Sequence, residues 1–158
     1  MAKRHPSLIP LCHDHHYGLA LAIRCRKQAL GQLNPGHPQG IEEHVNEIKD
    51  FFLKKLCSHF EAEEMVLFPL ISSHYSVAKG MTVDLRHEHE QIRQGITSLD
   101  QNPELPKALF DLGDILERHI RREERELFPL FEHYVPPAEA EQAKGEIERI
   151  LYVRKHSL

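Results

Sequence analysis

His59-Phe60-Glu61-Ala62-Glu63-Glu64-Met65-Val66-Leu67-Phe68-Pro69-Leu70 returns sixty residues later as His119-Ile120-Arg121-Arg122-Glu123-Glu124-Arg125-Glu126-Leu127-Phe128-Pro129-Leu130. Each copy has His and Glu four residues apart, hence on one face of a helix. Each ends in Leu-Phe-Pro-Leu. An acidic residue followed by His stands ahead of each copy, as Asp14-His15 and Glu88-His89. The chain therefore reads as two helical hairpins on one plan, a pseudo-symmetry within one domain rather than an array.

The apolar spacing around the copies is helical, not alternating. Around the second it runs Leu105, Leu109, Leu112, Leu116, His119, Glu123, Leu127, Leu130, in steps of three and four that make a bundle seam. Around the first it runs Ile41, Val45, Ile48, Phe52, Leu56, His59, Glu63, Val66, Leu70. A third stripe is Leu85, His89, Ile92, Ile96, Leu99, and a weaker one is Leu11, His15, Leu19, Ala22, Ala29, Leu33. Breaks separate them at Asn34–Pro38, at His74–Gly80, at Asn102-Pro103 and at Val135-Pro136-Pro137. Asn102 suits an N-cap and Pro103 the first helical position. Pro69 and Pro129 each lack an N–H and are expected to kink or end their helices. The predicted fold is all-α, an antiparallel up-down-up-down four-helix bundle over about residues 7–134. Residues 137–153, with Ile147, Ile150 and Leu151, read as a short fifth helix packed outside it.

Length and composition agree with this. A chain of 158 residues is one domain's worth, so 1–158 is expected to form a single domain. With 41% hydrophobic and 28% charged residues it can bury a core and stay in water. No apolar run approaches a membrane span, and no charged-then-apolar leader opens the chain, so the expected compartment is the cytoplasm. A net charge of −4 argues against a nucleic-acid partner, which wants a basic face. Cys12, Cys25 and Cys57 form no CxxC pair and read as small buried apolar residues. Histidine is the outlier, at 13 residues.

Six polar residues occupy seam positions where apolar ones are expected: His15, His59, Glu63, His89, His119 and Glu123. In antiparallel helices, residues at one level flank their turn symmetrically. The midpoint of 15 and 59 is 37, that of 63 and 89 is 76, and that of 89 and 119 is 104. These fall at the first, second and third breaks. The six side chains are therefore expected at one depth, about 20 Å from one end of the bundle at 1.5 Å per residue. Burying four imidazoles and two carboxylates unpaired costs several kcal/mol each. A pair of divalent ions removes that cost. The expected pairing is His15 with His59 on one ion and His89 with His119 on the other, bridged by Glu63 and Glu123. Imidazole with carboxylate favours iron, with zinc or manganese as alternatives. Positions left open on such ions suit dioxygen, nitric oxide or peroxide.

The remaining candidates read more plainly. His44 lies about 22 Å along the helix from His59 and cannot share the site. His13, His16 and His87 neighbour the site residues and point away, with outer hydrogen bonds to the ligands as an alternative. Glu64 and Glu124 lie about 100° round the helix from the bridging glutamates and read as solvated, with metal ligation as the alternative. Phe68 and Phe128 read as core, with a wall of the metal pocket as the alternative. His74-Tyr75 and His133-Tyr134 read as helix-end packing.

At these residues the sequence resembles the bacterial hemerythrin-like (HHE cation-binding) domains. The carriers are Asp14-His15-His16, His59-Phe60-x-x-Glu63-Glu64 with Leu67-Phe68-Pro69, Arg86-x-Glu88-His89, and His119-x-x-x-Glu123-Glu124 with Leu127-Phe128-Pro129. The resemblance covers about residues 5–135. It implies a four-helix bundle around a di-iron centre bridged by carboxylates and oxo or hydroxo, with His15, His59, Glu63, His89, His119 and Glu123 on the ligand positions. It also implies binding or sensing of dioxygen, handling of nitric oxide or peroxide, or iron homeostasis. Two positions depart from the oxygen-carrier branch. Leu85 stands where that branch has a further His, and the last motif has Glu four residues after its His rather than Asp five after. The implied centre is thus more symmetric than the carrier's.

Four readings follow, the last of them a metal-free structural bundle. The leading one is a metal- and oxygen-binding protein whose partner is a small diatomic or a peroxide, with no membrane or nucleic acid involved. The second is an oxidoreductase consuming peroxide or nitric oxide, with His16, His87 or Tyr17 delivering protons. The third is an iron or zinc homeostasis module without catalysis.

Overall fold

The computed structural model describes residues 3–31 and 40–157, with side chains as far as residue 153. Among the described residues all regular structure is helical. A 3-10 turn, Pro6–Leu8, leads into α1, Ile9–Ala29. Helix α2 spans 41–74 as three α segments, Ile41–Phe51, Cys57–Ala62 and Phe68–His74, joined by the π turns Phe52–Leu56 and Glu63–Leu67. Helix α3 is Lys79–Thr97. Helix α4 spans 105–134 as Leu105–Arg122, the π turn Glu123–Leu127 and Phe128–Tyr134. Helix α5 is Pro137–Ser157. No helix among the described residues is long and apolar enough to cross a membrane.

Cross-helix contacts fix the directions. Arg24 pairs with Glu47 while His15 meets His59, so α1 and α2 are antiparallel. Ser72 meets Thr82 while Glu64 meets His89, which sets α2 against α3 in the same sense. The four-helix bundle expected from the stripes is present. The break at Asn34–Pro38 lies outside the described residues. The connection at the second break is narrower than expected, Tyr75–Ala78, because Gly80 already lies in α3. At the third break Asn102 is not the cap. Its Oδ1 accepts from Glu104 N–H at 2.9 Å in an Asx turn, and α4 starts at Leu105 with Pro106 in its first turn.

The prolines do not end their helices. In each π turn the hydrogen bond reaches back five residues, from Phe68 N–H to Glu63 O and from Phe128 N–H to Glu123 O. The wide turn sits directly before the residue that has no N–H to give. One extra residue per turn also advances the buried face by one. Ile71 and Phe131 are buried where Leu70 and Leu130 were expected, and Phe51 replaces Phe52 just ahead of the first π turn. The α3 stripe, which has no π turn, is buried as expected at Leu85, His89, Ile92, Ile96 and Leu99.

The core is two apolar clusters with a polar layer between them. Leu21, Ala22, Ile48, Ile92, Ile96 and Leu116 lie on one side, and Leu11, Leu67, Phe68, Leu85, Phe128 and Phe131 on the other. Helix α5 belongs to the second. It is 21 residues long, as long as α1, and buries Ala140, Ala143, Ile147 and Ile150 there. The expected short outer helix is thus a full-length wall of the core. The cysteines correct the expectation as well: Cys25 is buried, but Cys12 and Cys57 are half-buried.

Helices α1 and α4 touch through glycines, which is why the α1 stripe was weak. The buried face of α1 is Leu11, His15, Gly18, Leu21, Ala22 and Cys25, and Leu19 and Ala29 are only half-buried. A Cβ on Gly113 would lie 2.8 Å from the Ala22 carbonyl oxygen. A Cβ on Gly18 would lie 2.9 Å from Ile120 Cδ1, the movable end of a side chain. Gly113→Ala is therefore expected to cost about 1–3 kcal/mol, since two backbones must part. Gly18→Ala should cost less, because a rotamer change relieves it. Urea denaturation of the two variants checks the order.

Candidate metal centre

All six residues that interrupt the apolar seams meet in the polar layer, none more than 3% exposed. Ligand atoms of His15, His59, Glu63 and Glu123 lie within 4.8 Å of one another, and so do those of Glu63, His89, His119 and Glu123. The two sets share both glutamates. Nε2 of His15 is 3.1 Å from Nε2 of His59 and 3.0 Å from Glu123 Oε1. Glu63 Oε1 is 3.3 Å from His59 Nε2 and 3.2 Å from His89 Nε2. His119 Nε2 is 3.4 Å from Glu123 Oε1.

The other ring nitrogen of each histidine faces outward to a carboxylate. Asp14 on α1 meets His59 Nδ1 on α2 at 3.0 Å. Glu64 on α2 meets His89 on α3, Glu88 on α3 meets His119 on α4, and Glu124 on α4 meets His15 on α1, each at 2.7 Å. Every helix thus holds the histidine of the next, and the ring closes. The sequence reading missed these four acids as partners of the histidines. It took Glu64 and Glu124 as solvated, although a doublet on every helix (Asp14-His15, Glu63-Glu64, Glu88-His89, Glu123-Glu124) was the available signal. His13, His16 and His87 are exposed, and the outer nitrogens of the site histidines are taken by carboxylates instead. Tyr17 is 42% exposed, packed on Phe51 with the Lys55 ammonium over its ring. Three aromatics wall the layer. Phe128 stacks on His15, Phe68 on His89, and Phe60, which the sequence reading left in the background, stacks on His89 at 3.8 Å. Tyr75 stacks on Tyr134 at 4.2 Å, the helix-end packing expected of the His-Tyr pairs.

An ionised carboxylate only accepts, so each Nδ1 must carry the proton and each neutral Nε2 presents a lone pair inward. The lone pairs of His15 and His59 then face each other, which needs a proton or a cation between them. Both carboxylate oxygens of Glu63, Oε2 of Glu123, and Nε2 of His89 and His119 are buried with no hydrogen-bond partner. Buried polar atoms are nearly always satisfied. The donor set fits a pair of divalent metal ions, with four imidazole nitrogens and two carboxylates able to bridge.

Without a metal, protons must fill the gap. Burial pulls the His89 pKa down, but the carboxylates of Glu123, Glu63 and Glu64 overcome it and hold it at about 10. Burial likewise opposes charge on His59, His15 and His119, and neighbouring carboxylates win, raising all three. Burial would raise Glu123, but His119, His15 and His89 hold it well below the ordinary carboxylate range. A raised histidine contributes stability that is fully present below about pH 6.5 and is lost as pH rises through its folded value. The metal-free protein is therefore expected to weaken from about pH 6.5 towards 10. Metal competes with those same protons, so metal affinity is expected to rise over that range. Thermal melts of the metal-free and loaded protein at a series of pH values should diverge upward; parallel curves would contradict this.

Comparison with known proteins agrees with the geometry. The hemerythrin HHE cation binding domain matches residues 7–131. A protein from Nostoc sp. (strain PCC 7120 / SAG 25.82 / UTEX 2576), named DNA nickase, is 31% identical over 109 residues, which cover 66% of this chain and 29% of that protein. The chain thus spans less than a third of that relative's length. No solved structure matches. With the match extending over most of its length, the chain belongs to the hemerythrin HHE cation-binding family.

Proposed function

We propose that His15 and His59 hold one divalent cation, that His89 and His119 hold a second, and that Glu63 and Glu123 bridge them. The native pair is iron, and the centre binds or senses dioxygen or a related small molecule such as nitric oxide or peroxide, in the cytoplasm. The observation that carries this is the set of buried, unpartnered oxygens and nitrogens of Glu63, Glu123, His89 and His119 facing one another. When bound, an iron pair supplies redox-active coordination positions that protein ligands leave open. This chain's residues fix the ring tautomers, shut out bulk water and set the depth.

Binding is favoured over turnover of peroxide or nitric oxide. Of the groups that could deliver protons, His16, His87 and Tyr17 all sit on the exposed surface, apart from the layer. The nickase name belongs to a much larger protein. A net charge of −4 supports a reading without a nucleic-acid partner.

Elemental analysis of freshly made protein should find about two iron atoms per chain. Adding air to the reduced, iron-loaded protein should produce new visible absorption. A spectrum unchanged by air would defeat the small-molecule reading, and a redox-silent zinc content would favour the homeostasis module.

A further inference from the structure

The four outer carboxylates are not equally neutralised. Glu64 has Arg93 Nη2 at 2.9 Å, on the same oxygen that meets His89, and Arg86 Nη1 at 3.7 Å. Glu88 has Arg122 Nη1 at 3.5 Å. Glu124 has Arg4 Nε at 3.7 Å, a guanidinium it shares with Glu132. Asp14 has only the His59 ring; among the described residues no Arg or Lys lies within ion-pairing distance of it. Lys54 and Lys55 line a cavity that Asp14 also borders. Both are engaged elsewhere, Lys54 with Asp50 at 3.1 Å and Lys55 over the Tyr17 ring at 4.8 Å. Water screens Asp14 least, since its side chain is 16% exposed against 22–27% for the three glutamates.

The asymmetry divides along the two ligand sets. Around His89 and His119, three guanidinium groups stand beside the two outer carboxylates, with Arg93 also reaching Glu90 at 3.6 Å and Arg122 also reaching Glu126 at 3.5 Å and Asp84 at 3.6 Å. Around His15 and His59, one shared guanidinium does so. The Asp14 hydrogen bond is longer, 3.0 against 2.7 Å. Coulomb energy falls as the inverse of distance, so that costs about a tenth of the interaction. A guanidinium at contact distance cancels far more than a tenth of a carboxylate's charge. Outer carboxylates raise the donor strength of a ligating imidazole, and their removal typically costs ~10–100-fold in metal affinity.

We propose that the His15–His59 half is the tighter cation site, made so by an outer carboxylate, Asp14, that no guanidinium neutralises. Asp14 is a positioning residue that acts through His59. The inference rests on the dinuclear reading above.

The test uses the metal-free full chain titrated with Co2+, followed by visible absorption and calorimetry. Two steps are expected, the first tighter by about tenfold. His59→Gln should remove the first step and His119→Gln the second. In Asp14→Asn the amide oxygen can still accept from Nδ1–H, so geometry is kept and only charge is lost. That variant should weaken the first step by about tenfold and leave the second unchanged. Arg122→Gln, at a partly exposed residue away from the inner cluster, should tighten the second step. Two equal steps, a first step lost with His119 instead of His59, or a first step indifferent to Asp14→Asn would overturn the inference while leaving a two-metal centre standing. A chain that takes up no cobalt would overturn the centre itself and this inference with it.

Discussion

Glu123→Gln is expected to strip the protein of metal while leaving it helical. Glu123 stands in both ligand sets, and its oxygens face His15 at 3.0 Å, His119 at 3.4 Å and His89 at 3.9 Å. Glutamine has the same shape and keeps one oxygen, but it brings an NH2 and no charge. In the dinuclear reading the one remaining oxygen could serve a single ion and the bridge would be lost, so metal affinity should fall by at least 100-fold, beyond the effect typical of outer partners. The metal-free variant suffers too. Its raised histidines lose the buried anion that supports their protons, and breaking a buried charge pair costs about 3–5 kcal/mol. Metal analysis after dialysis, with circular dichroism for the fold, checks both parts. A variant that retains two metals would show that Glu123 does not bridge.

Chelating the metal from the loaded protein should lower its melting temperature by roughly 15–30 °C. A ligand at 1,000 times its Kd stabilises the folded state by about 4.1 kcal/mol. Two such ions contribute about 8 kcal/mol. For a chain of this size each kcal/mol moves Tm by roughly 2–4 °C. The layer is sealed between two apolar clusters, so without metal only the protons held on the raised histidines can compensate. Scanning calorimetry with and without chelator decides the matter, and coincident melts would mean that the layer is satisfied by protons alone.

The inner residues were legible because a polar side chain in an apolar seam is costly, and because turn midpoints fixed the depth of His15, His59, Glu63, His89 and His119 without coordinates. The outer acids were not. On an isolated helix, Glu64 and Glu124 sit about 100° from the buried glutamates and look wet. In a bundle that angle points at the neighbouring helix, where His89 and His15 wait. The π turns were also hidden. Pro69 and Pro129 announced a disturbance, but only the shift from Leu70 to Ile71 and from Leu130 to Phe131 revealed an inserted residue rather than a helix end. The length of α5 was underread only at its far end, where the reading stopped at 153 and the helix runs on to Ser157, past the last apolar residues of its buried face, Ile147 and Ile150.

The ring in which each helix grips the next has a consequence for how the molecule can be divided. Cutting the backbone between α2 and α3, in the Tyr75–Ala78 connection, leaves one piece with α1 and α2 and another with α3 to α5. Each piece then carries one inner glutamate, two histidines, one gripping acid for its own helix pair and one for its counterpart. Neither can satisfy its own layer alone, and each offers what the other lacks. The severed halves should therefore find one another in solution, with divalent cations drawing them together.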